Sequence, residues 1–106
     1  MAFAINNRGD MADFCITAVR YSKDRNHIEY VQVREEKSKT IGAPRTVARA
    51  FVADLIRLEK ASFQTRMKTA DDTWTRGADV HLIDDVYLTT DRNSTERDNL
   101  GNLPEF

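Results

Sequence analysis

The chain has 106 residues, 41% of them hydrophobic and 31% charged, with a net charge of −1, which is enough for one domain with its own core. Its single cysteine, Cys15, excludes a disulfide within the chain and points to a reducing compartment, so a cytoplasmic protein is expected. No stretch approaches the ~18 apolar residues of a membrane span, and residues 1–10 lack the apolar core of a signal peptide.

Charge is unevenly placed along the chain. Residues 34–70 hold nine basic side chains against four acidic ones, a net +5, whereas residues 71–106 hold three against nine, a net −6. Mutual attraction of the two regions, each also solvated, is the simpler reading. The sharper one is that the basic segment meets an acidic partner.

Residues 1–13 are polar and aperiodic and are expected to form a disordered, dispensable leader, with Met11 an alternative start. Residues 14–106 are expected to form one α+β domain. Phe14–Tyr21 is rich in β-branched and aromatic residues and stops at the breaker Ser22–Asn26; His27–Arg34 follows as its antiparallel hairpin partner. After a charged connector, Pro44 is expected to open a helix over Thr46–Lys60, whose stripe is Val47, Phe51, Leu55 and Leu58. Ser62–Lys68 alternates like a half-buried strand, and Thr73–Arg76 is a short strand broken at Gly77. Val80–Ile83 and Val86–Thr89 form a hairpin about Asp84–Asp85, with Ile83 expected opposite Val86. The predicted order is ββαβββ, an antiparallel sheet of about five strands with one amphipathic helix on one face. Both faces of the last hairpin then carry apolar groups, so Leu100, Leu103 and Phe106 are expected to pack the C-terminal tail on the sheet.

Motifs of chemistry are sparse. Asp91–Asp98 places oxygen ligands alternately, like part of a calcium loop. It has Glu96 where such a loop has glycine and Asn102 where it has a bidentate glutamate, so side-chain-capped turns explain it better. His27, His81 and Cys15 lack zinc-ligand spacing. Asp84–Asp85 reads as a turn pair that tolerates positive φ rather than as a catalytic dyad. Gly9, Gly42, Gly77 and Gly101 are too scattered for a phosphate loop. No catalytic residue, metal site or cofactor is expected, and the chain is read as a non-enzyme.

The expected function is a small interaction or structural domain whose partner is a protein, with a monomer favoured over a homodimer. The alternative is a nucleic-acid-binding module using Arg45, Arg49 and Arg57 along the helix, with Lys60 beside them and Tyr21 and Tyr30 available for stacking. A sequence pI of about 6.1 weighs against it.

In three places the chain resembles a family of small bacterial proteins known only as a domain of unknown function. These are Ile16-Thr17-Ala18-Val19-Arg20 with His27-Ile28, then Phe63-Gln64-Thr65, and the ending Tyr87-Leu88-Thr89-Thr90, Asn93, Asp98-Asn99-Leu100 and Leu103-Pro104. The resemblance spans roughly Phe14 to Phe106. It departs at Lys60-Ala61-Ser62 and Asp84-Asp85, where glycines are usual. It implies a bacterial origin and the same architecture, and brings no catalytic residue with it.

Overall fold

The strand Phe14–Tyr21, β1, lies near the middle of the sheet, and the rest of the chain is laid against it. The computed structural model describes residues 12–75, 77–90 and 100–106. Strand β2, Ile28–Glu35, pairs antiparallel with β1. Two bulges correct the facing of this pair. Thr17 is the extra residue in β1, and Glu29 is the extra residue in β2. They allow Ile16 and Val19, and likewise Ile28 and Val31, to point the same way although each pair is three residues apart.

The expected helix over Thr46–Lys60 is corrected in both directions. Arg45–Ala48 is a strand, β3, pairing antiparallel with the open edge of β2. Pro44 therefore leads into an edge strand, which needs no N–H from it, instead of a first helical turn. The helix α1 is only Arg49–Arg57. It buries Val52 and Ala53 on the sheet, with Leu55 and Ile56 packed beside them, and leaves Phe51 54% exposed and Leu58 55% exposed. Its end is closed by Glu59 in the left-handed region, φ 56°. Glu59 N donates to Ile56 O and Lys60 N to Leu55 O, the paired bonds of a Schellman cap that glycine usually makes.

After the helix, strand β4, Phe63–Thr65, docks on the other edge of β1 and runs parallel to it. The sheet is thus mixed, in the order β3-β2-β1-β4, and not a five-stranded antiparallel one. The reason is the extra strand: β3 already runs parallel to β1, and a crossover helix returns the chain in that same direction. The hairpin β5, His81–Ile83, and β6, Tyr87–Thr89, is a separate two-stranded ladder. Residues 77–80 tie it to β4 through Thr65 N to Ala78 O and Val80 N to Phe63 O.

The hairpin register also differs from expectation. Asp84 and Asp85 do sit at the turn with positive φ, 55° and 62°, but Ile83 pairs with Tyr87, Leu82 with Leu88 and His81 with Thr89. Val86 is the extra residue and stands 42% exposed. Leu82 and Leu88 consequently share one face, while Ile83 and Tyr87, both half-buried, share the other, so both faces still carry apolar groups.

The tail still enters the core. Leu100 and Leu103 are buried with Val19, Val52 and Leu88 in one cluster. Where β4 has ended, the tail takes over the edge of β1: Val19 N donates to Pro104 O at 2.9 Å and Phe106 N to Val19 O at 3.0 Å. Of the expected leader, residues 1–11 lie outside the described residues. Ala12 is buried, and Asp13 Oδ2 accepts from Ser62 N at 2.9 Å and Ser62 Oγ at 3.1 Å.

Candidate functional site

The two faces of the sheet carry different chemistry. The helix-bearing face holds a cavity of about 390 Å³ between α1 and the β2–β3 pair. Its floor and walls are Phe14, Val33, Val47, Val52, Leu55 and Phe63, with the Phe14 and Phe63 rings stacked 5.4 Å apart. Gly42, which has no side chain, and Ala43 form part of the wall. Phe51 also lines it, and Lys37, Arg45 and Glu35 complete the lining. The cavity lies beside β3, the terminal strand of its sheet, whose Arg45, Thr46 and Ala48 are exposed. An apolar hollow with a few charged groups, next to a sheet edge, has the general form of a binding site.

The opposite face holds a buried polar knot. The Glu36 side chain is 1% exposed and accepts from Arg66 Nε at 2.6 Å, Arg66 Nη2 at 3.0 Å and Gln64 Nε2 at 2.7 Å. These bonds favour the charged form of Arg66 and raise its pKa. Cys15, fully buried, has its thiol pushed up to about 12, first by burial and then by the Glu36 charge. A thiol in that state is a poor nucleophile. Beside the knot, Trp74 lies under two cations, with Arg34 4.9 Å and Lys68 5.6 Å from its ring centroid. A second hollow, of about 520 Å³, opens between Trp74 and the turn at 37–41.

The basic residues expected to form one interaction surface are dispersed. Arg45 is on β3 and not on the helix. Arg49 donates to Ile28 O at 3.1 Å and to Val86 O, and covers the Tyr87 ring, so it clamps the helix start to the hairpin. Arg57 pairs with Asp54 on its own helix at 2.8 Å. Lys60 is exposed, with its backbone spent on the helix cap. The sequence does not single out Arg34, Lys37, Lys39 and Trp74, because 35–43 reads only as a charged connector; a lone tryptophan just beyond a turn is the one available signal.

Among the described residues, no group of three or more His, Cys, Asp or Glu side chains is placed to hold a metal ion. The Asp91–Asp98 segment lies outside the described residues. No described helix is long and apolar enough to cross a membrane.

A mixed four-stranded sheet, one short helix and an accessory hairpin define a small α+β domain. The chain belongs to the family described as "Protein of unknown function (DUF3892)", whose family model matches residues 15–104. No curated protein and no solved structure matches it.

Proposed function

We propose that this chain is a non-enzymatic interaction domain that receives an apolar side chain, flanked by carboxylates, from a partner protein. The observation that carries this reading is the apolar cavity of about 390 Å³ with Lys37 and Arg45 on its lining, set against the terminal strand β3. An extended segment can add to the free edge of β3 by backbone hydrogen bonds and place one side chain in the hollow. The cations then select for acidic neighbours. A non-catalytic role fits a thiol pushed up to about 12 and a buried glutamate committed to Arg66. The bacterial, cytoplasmic and monomeric character expected from the sequence belongs to this same reading.

The test uses short acetylated acidic peptides with a single central phenylalanine or leucine, titrated against labelled protein and followed by NMR. Saturable shifts at Val47, Val52 and the β3 amides are expected, together with their loss in Ala43→Trp, which fills the cavity from an exposed position. Arg45→Glu should weaken acidic peptides and leave uncharged ones unchanged. The reading fails if Ala43→Trp binds as the native protein does, or if no peptide shifts the β3 amides.

A further inference from the structure

The hollow on the opposite face is chemically unlike the first. It is lined by Lys37, Lys39, Thr40, Arg66, Thr73 and Trp74, among others. One wall is a tight turn fixed at both ends. Lys37 N donates to Thr40 O at 3.0 Å, Glu36 bridges to Ile41, and Gly42 N donates to Glu35 O at 2.9 Å. That turn holds Lys37, Ser38 and Lys39 on the rim. The other wall is Trp74, bridged to Lys68, and the turn in which Thr69 N donates to Thr73 O at 2.7 Å.

Charge accounting then separates committed cations from uncommitted ones. Arg66 is neutralised by Glu36 and Lys68 by Asp72 at 3.0 Å. Glu35 lines the apolar cavity instead. Among the described residues, Arg34 bonds to the Gly42 carbonyl, at 3.3 Å, and its Nε is buried with no hydrogen-bond partner. Among the described residues, Arg34, Lys37 and Lys39 have no carboxylate partner. Two of these charges, Lys37 and Lys39, line one hollow, and Arg34 lies over the ring of Trp74, which also lines it. Two lysines held on one side, as point charges with rotatable donors, suit an ion with several acceptor oxygens and more than one charge.

We infer that this hollow binds a phosphate-bearing ligand, with Lys37 and Lys39 on the phosphate and Trp74 as the facing wall. The site is separate from the apolar cavity, with Lys37 standing on the ridge between them and lining both. The same phosphate chemistry is offered by a small phosphorylated compound and by a nucleic-acid backbone.

The chain has one tryptophan, so its fluorescence reports this hollow directly. Pyrophosphate and an oligothymidylate are titrated at matched ionic strength, with calorimetry as a second readout. A saturable change in Trp74 emission is expected, weakened at least tenfold by Lys39→Glu and unaffected by Ala43→Trp. Affinity confined to pyrophosphate assigns a small phosphorylated ligand. Affinity rising with oligonucleotide length and falling steeply with salt assigns a nucleic-acid backbone. The inference is overturned if neither probe gives heat or an emission change beyond that of sodium chloride. It is equally overturned if Lys39→Glu binds as tightly as the native chain.

Discussion

Glu36 and Arg66 meet in a two-point fork, 2.6 Å and 3.0 Å between heavy atoms, beneath the sheet. They are 30 residues apart, and their union fixes the end of β2 to the exit of β4. Removing the carboxylate leaves Arg66, only 19% exposed, with an uncompensated charge. Glu36→Ala should cost about 3 kcal/mol, measured by urea denaturation. The double variant Glu36→Leu/Arg66→Leu should recover most of that loss, because replacing both partners removes the buried charge altogether.

Cys15 supplies a pH signature. Its thiol is pushed from 9.0 up to about 12 in the folded chain. A raised folded pKa favours the folded state fully below pH 9. That advantage is lost as pH climbs from 9 towards 12, where the unfolded chain ionises and the folded one does not. The native protein should therefore lose stability over this range faster than Cys15→Ala. Ellman's reagent at pH 8 should find no reactive thiol until denaturant is added. A thiol that reacts promptly in the folded protein would contradict the burial.

Two backbone positions should respond in opposite senses. Glu59 occupies the left-handed region at the helix end, so Glu59→Gly should stabilise the chain by about 1 kcal/mol. At Gly77, a Cβ would overlap the hydroxyl and the carbonyl of Thr65, so Gly77→Ala must displace the segment that joins the hairpin to β4. Its melting temperature should fall by several degrees, whereas Glu59→Gly should raise it.

The tail leucines should behave as core residues. Leu100 is 5% exposed and Leu103 8%, and truncating either to alanine should cost about 2–4 kcal/mol by thermal or chemical denaturation. An exposed position on the same tail, Asn102, should tolerate alanine with a change under about 0.5 kcal/mol. Equal effects at the three positions would mean that the tail is not docked in solution.

What could be read from the chain depended on whether the cause was local. The bounds of β1 were legible because a β-branched run ended at a breaker, and Asp84–Asp85 was legible as a turn because those residues accept positive φ. Tail burial followed from spaced leucines and from apolar groups on both faces of the hairpin, although the pairs that carry those groups differ because one extra residue, Val86, shifts the register. The strand β3 was invisible: Arg45–Ala48 fits either a helix start or a strand, and only the open edge of β2 decides. The same held for function. Arg49 looked like a surface cation and is held by the carbonyls of Ile28 and Val86, while the cations around Trp74 converge only after 40 residues of chain have folded back, from Arg34 to Trp74.

β1 is built from residues near the start of the sequence, yet its second edge is closed in two instalments, by Phe63–Thr65 and then by Pro104–Phe106. During synthesis, a nascent chain that has already paired β1 with β2 still presents the bare edge around Val19 until residue 106 has left the ribosome. Local pairing can be rapid, but completion of the sheet waits on the most distant contacts in the sequence. The sheet can therefore be completed only once Phe106 has emerged, and the interval before that is when Val19 and its neighbours are open to pairing with another chain.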